Sequence, residues 1–177
     1  MNNSCTEWIV HCIPLYRWNI ANLKDLDLNH LRSAKGVRFP KNVGWNLDLG
    51  RLESADGVQL PESVGWNLDL GRLESAKGVR FPEHVGGSIY LGNLESAEGL
   101  QLPEHVGRNL DLRHLRSAKE VRFPGNVGGN LNLSRLESAE GLRFPEHVGG
   151  SIYLFSLKST EGLNLLRIRK GVFALVN

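Results

Sequence analysis

The sequence predicts an all-β solenoid, a stack of about six 21-residue coils with capped ends. Three observations carry this. Ser-Ala recurs at Ser33, Ser54, Ser75, Ser96, Ser117 and Ser138, always 21 residues apart and without insertion. Each copy holds an apolar-polar-apolar triplet such as Leu68-Asp69-Leu70, the alternation of a strand with one buried face. Each copy also carries a proline and glycine, which argues against a helical hairpin of the same period. A fixed repeat of this length marks a solenoid, in which each unit packs on its neighbours.

The elements follow in chain order. Residues 1–30 read as an N-terminal cap with a degenerate repeat. They keep apolar residues at Val10, Ile13, Tyr16, Trp18, Leu26 and Leu28 but lose the Gly and Pro corners. Residues 31–156 are the six full repeats. In the second copy, Val58-Gln59-Leu60 reads as one strand and Leu68-Asp69-Leu70 as the other. Pro61 fixes φ and has no N–H to give a ladder, so it suits a corner. Gly57 and Gly65 stand where the backbone would have to turn tightly. Val64, Leu73 and Ala76 supply the remaining inward positions. Residues 157–177 read as a C-terminal cap strand, with Leu166, Ile168, Val172 and Phe173 on its apolar side.

Coils stacked as parallel strands lie about 4.8 Å apart. Residues 21 apart then become neighbours. Lys35, Asp56, Lys77, Glu98, Lys119 and Glu140 form one such column, and the sign of charge alternates at each step. Opposite charges in adjacent strands are favourable and like charges are not, so this column supports the stacking independently and disfavours slippage.

The bulk numbers fit one soluble domain. The chain has 177 residues, 41% hydrophobic and 23% charged, with a net charge of +2. That balance lies far from disorder and demands neither nucleic acid nor membrane. No apolar run reaches a membrane span. The opening MNNSCTEWIVHCIPLYRWNI lacks a basic region before an apolar one, so no secretory signal is expected. Cys5 and Cys12 make no disulfide framework, which points to a reducing cytoplasm.

Four outward columns are candidates for function. Asp48, Asp69, Tyr90, Asp111, Asn132 and Tyr153, with Asp27 before them, form an acidic face broken by tyrosines; it would suit a basic peptide or mimic a row of phosphates, and otherwise is a solvated strand face. Arg38, Gln59, Arg80, Gln101, Arg122 and Arg143 form a basic column that could track a phosphate backbone, although glutamine spacers also keep like charges from stacking. Trp45 and Trp66 share a column with Arg108 and with Gly87, Gly129 and Gly150. Trp and Arg are common interface anchors, so this aromatic step is the leading contact patch. His84, His105 and His147 recur within the copied string PEHVG, and copying accounts for them better than a metal does; no metal site and no cofactor is expected. The repeated serines read as a corner hydrogen-bond ladder, not as nucleophiles. No nucleophile elbow or phosphate loop stands out, so no catalytic residue is assigned.

The pattern Leu68-x-Leu70-x-x-Leu73 followed by Leu/Phe-Pro resembles bacterial leucine-rich repeats, over Leu31 to Ser156. That resemblance implies a binding surface made of outward strand positions. The standard family places Asn or Cys three residues after its Leu-x-Leu pair, where this chain has Leu52, Leu73, Leu94, Leu115 and Leu136. Without that Asn ladder, a straighter, closed β-helix stands beside the curved horseshoe as a reading, and either one presents outward strand positions.

The functional expectation is a non-catalytic scaffold for an unidentified protein partner, using Trp45, Trp66, Arg108, Tyr90, Tyr153, Asp48, Asp69 and Asp111. Nucleic-acid binding through Arg38, Arg80, Arg122 and Arg143, or mimicry through the Asp column, ranks second. Self-association through the C-terminal strand, Leu163 to Val176, ranks third, and an enzyme last. No membrane partner is expected.

Overall fold

The computed structural model describes residues 24–159 apart from 56 and 120, and the backbone of 172–174. The protein is an all-β solenoid in which each 21-residue unit closes one coil. Its strands are only two or three residues long and stack into two parallel sheets. The first sheet holds β1 (Leu26–Asp27), β3 (Leu47–Asp48), β5 (Leu68–Asp69), β7 (Ile89–Tyr90), β9 (Leu110–Asp111), β11 (Leu131–Asn132), β13 (Ser151–Tyr153) and β14 (Val172–Ala174) in that order. The second holds β2 (Asn42–Val43), β4 (Ser63–Val64), β6 (His84–Val85), β8 (His105–Val106), β10 (Asn126–Val127) and β12 (His147–Val148). Register is the repeat itself: Leu47 pairs with Leu68, Leu68 with Ile89, and Ile89 with Leu110. Among the described residues no helix is long and apolar enough to cross a membrane.

The core is a set of aliphatic columns. In one coil Val64, Leu68, Leu70, Leu73, Ala76 and Val79 are all buried, and their equivalents repeat along the rod. The column Leu52, Leu73, Leu94, Leu115 and Leu136 is 0% exposed throughout. Fully burying each leucine contributes about 1.5–3 kcal/mol. A coil alone could not enclose these side chains; its neighbours above and below do so.

The second sheet lies beyond the proline, not before it. Val58-Gln59-Leu60 contributes only a single bridge, Gln59 to Arg80, and Gln101 to Arg122 repeats it. The reason is local. The Val58 N–H donates back to the Ala55 carbonyl at 3.0 Å, closing a turn through Gly57, whose φ is +69°. That donor is lost to the ladder, and Pro61 has none. Pairing resumes at Ser63–Val64.

Gly57 needs its left-handed backbone, but Gly65 does not. In the column Gly44, Gly65, Gly86, Gly107, Gly128 and Gly149, each glycine from Gly65 onward has no room for a Cβ against the carbonyl of the glycine in the coil before. A Cβ on Gly65 would sit 1.9 Å from the Gly44 carbonyl oxygen.

Of the two terminal segments, residues 1–23, 160–171 and 175–177 lie outside the described residues. Within the rest, β1 pairs with β3 at the same 21-residue offset, and β14 pairs parallel with β13, Ser151 opposite Val172. The β13 edge is thus covered by a strand of its own chain.

Candidate functional site

The Trp column occupies the corner that leads from the second sheet into the first. One backbone hydrogen bond per coil runs along it. Trp66 N–H donates to the Trp45 carbonyl at 2.9 Å, Gly87 to Trp66 at 2.8 Å, and Arg108 to Gly87 at 2.9 Å. The ladder starts lower, where Trp45 N–H donates to the Lys24 carbonyl. Trp45 is 55% exposed and Trp66 39% exposed. The Arg108 guanidinium lies over the Trp66 ring, 4.3 Å from its centroid. Those residues are two coils apart, and Gly87 between them carries no side chain to stand in the way. The contact is worth about 0.5–1 kcal/mol where exposed, enough to bias the orientation of Trp66.

The next residue of each coil holds the corner in place. Asp25, Asn46, Asn67, Ser88, Asn109, Asn130 and Ser151 form a polar ladder. Each side-chain oxygen accepts the backbone N–H of the next member; the Asn67 to Ser88 bond is 2.8 Å and the Asn130 to Ser151 bond 2.7 Å. Sequence reasoning missed this ladder. Its signal was present: short oxygen-bearing side chains at constant period, just before each Leu-x-Leu pair.

The acidic column is aligned as the spacing requires, with Asp48 opposite Asp69, Asp69 opposite Tyr90 and Tyr90 opposite Asp111. Asn132 and Tyr153 continue it. Its side chains do not simply face water. Asp48 and Asp69 are half-buried and Asp111 is 6% exposed. Each turns back to accept an N–H two residues on, from Gly50 at 2.9 Å, Gly71 at 2.8 Å and Arg113 at 3.1 Å. Arg113 also grips Asp111 through its guanidinium. Tyr153 touches Phe155, ring centroids 5.6 Å apart, and Phe155 is exposed.

Burial pushes the Asp69 carboxyl above the usual aspartate range; the Gly71 N–H partly offsets this, and Asp48 and Asp111 add repulsion. A carboxyl whose pKa is raised by folding disfavours the folded state when ionised. Stability therefore falls as pH rises from the ordinary aspartate range through the raised value, the reverse of the usual carboxylate case. Asn132 makes the same turn bond to Ser134 without charge. Asp69→Asn should accordingly stabilise the fold at pH 7 by about 1 kcal/mol or less, seen as a higher melting temperature, and the gain should vanish on acidification. Thermal melts across pH 3–7 check it; a loss at pH 7 would contradict this account.

The alternating column pairs Lys77 with Glu98 at 2.9 Å and Lys119 with Glu140 at 3.3 Å; Asp56 lies outside the described residues. A second charged column also forms ion pairs: Arg32 with Glu53 at 3.2 Å, and Arg116 with both Glu95 and Glu137. The Ser ladder is local. Ser75 Oγ accepts Lys77 N–H at 3.2 Å and Ser96 Oγ accepts Glu98 N–H at 3.2 Å.

The chain matches no family model, no curated protein and no solved structure. Its residues must therefore speak for the site. The structure brings Trp45, Trp66 and Arg108 together as one patch. It puts Asp48, Asp69, Tyr90, Asp111 and Tyr153 in a separate column on the first sheet, and Arg38, Arg80, Arg122 and Arg143 in an exposed column before the prolines. His84 stands opposite His105, while Asn126 separates His105 from His147. Among the described residues, no group of three His, Cys, Asp or Glu could hold a metal ion.

Proposed function

We propose that the solenoid is a non-catalytic scaffold that binds a protein partner at the Trp45–Trp66–Arg108 corner. The observation that carries this is two exposed tryptophans on adjacent coils, the second oriented by an arginine that reaches across a glycine. A tryptophan held in one orientation loses little entropy on binding, and Trp and Arg are the residue types that dominate interface energies. The polar ladder behind the corner fixes the backbone that presents them. The half-buried Asp and Tyr column lies on the first sheet next to this corner, with Tyr90 and Tyr153 as its larger side chains. This reading agrees with the resemblance to bacterial leucine-rich repeats and with a cytoplasmic setting. No reaction is assigned to it.

The test is capture from a lysate followed by reconstitution with the purified partner. Trp45→Ala/Trp66→Ala is expected to weaken the reconstituted complex about 100-fold. Equal affinity for wild type and variant would remove this corner as the binding site.

A further inference from the structure

A second surface lies around the rod from the Trp corner, across the prolines. It is a shallow depression of about 850 Å³ between two coils. Arg80 and Gln101 form one bank, Glu83 and Glu104 the other, and Phe81 and Leu102 lie between them. The bank residues are exposed; Phe81 and Leu102 are half-buried. The banks extend along the rod as columns, arginine and glutamine on one side (Arg38 to Arg143) and mostly glutamate on the other (Glu62 to Glu146).

On this face the two signs stand side by side in separate columns. In two other columns opposite signs occur together up the rod, so that partners meet inside the chain, as Lys77 meets Glu98 and Arg116 meets Glu137. Here the signs are segregated between columns. Among the described residues Arg38, Arg80, Arg122 and Arg143 form no ion pair, and neither do Glu83, Glu104 and Glu146. A polyanion lying on this face would meet the glutamate bank, and a basic chain would meet the arginine bank. A suitable partner carries both columns in mirrored order.

We propose that the partner is a second copy of this chain, docked face to face about a two-fold axis parallel to the rod. That rotation keeps each coil at its own height and exchanges left for right, so each arginine column covers the other copy's glutamate column. Arg80 then meets Glu83 of the second copy, Gln101 meets Glu104, and Arg143 meets Glu146. A two-fold across the rod would instead set arginine on arginine. The one like-charged meeting is Arg38 with Lys41 at the end of the stack, and Lys41 is already tied to Glu62 at 3.1 Å. Six coils make a face about 29 Å tall, which belongs with weak, reversible interfaces of less than about 1,200 Å². Charges at its rim make it sensitive to salt.

Analytical ultracentrifugation from micromolar to submillimolar protein tests the dimer. Wild type should dimerise at low salt and dissociate at high salt. Arg80→Glu and Glu83→Arg should each weaken association by about tenfold or more, since every reversal acts twice in a symmetric pair. The double variant R80E/E83R should recover it. All four side chains at this contact are exposed, so circular dichroism should be unchanged. A wild-type monomer at every concentration would overturn the proposal. So would single reversals that leave association intact, or a double variant that fails to recover. A monomer held by a heparin column and released by Arg80→Glu would overturn it in favour of a polyanion. The Trp45→Ala/Trp66→Ala variant should dimerise like wild type, which separates this surface from the partner-binding corner.

Discussion

Replacing Gly107 with alanine is expected to destabilise the rod by about 3 kcal/mol or more. Gly107 lies in the middle of the glycine column, and a Cβ there would stand 2.0 Å from the Gly86 carbonyl oxygen and 2.6 Å from its carbon. Both atoms are backbone, so no side chain can swing away. The clash can be relieved only by separating the coils, yet Gly107 N–H donates to Val85 at 3.0 Å and Arg108 N–H to Gly87 at 2.9 Å across the same gap. Separation would loosen those bonds and open the Leu columns beside them. Because each coil is held by its neighbours alone, the damage should divide the rod, and a thermal melt followed by circular dichroism should move to lower temperature and broaden. An unchanged melt would mean that the backbones do not approach here.

The second large effect comes from placing an asparagine in the column three residues after the Leu-x-Leu pair. Leu94→Asn is expected to cost about 4 kcal/mol, from the lost apolar side chain and the buried amide. Leu94 is 0% exposed, and Leu73 and Leu115, its equivalents in the adjoining coils, are too. Its own N–H already closes a turn onto the Leu91 carbonyl at 3.1 Å, so an amide side chain there would not inherit that bond. In this solenoid the polar ladder runs through Asn46, Asn67, Asn109 and Asn130, before the Leu-x-Leu pair. Chemical denaturation of Leu94→Asn against wild type measures the effect; equal stability would mean that the column can accommodate a polar ladder after all.

These two substitutions separate what a repeat reveals from what it hides. Period alone determined the coil, the parallel register, the inward leucine columns and the meeting of Lys77 with Glu98, because residues 21 apart in a closed coil have no choice of neighbour. What lies within a coil was decided by competition for the same donors and the same space. The Val58 N–H went to a turn, so the second sheet formed past Pro61. The Asp48 and Asp69 carboxylates turned back onto Gly50 and Gly71, where a strand pattern alone would point them outward. Gly65 proved to be required by close backbone stacking, not by left-handed φ. Arg108 reached past Gly87 to Trp66, a contact spanning two periods. Translational repetition dictates which atoms share a column, but hydrogen-bond choice and side-chain reach depend on all three dimensions at once, and those only the tertiary structure could decide.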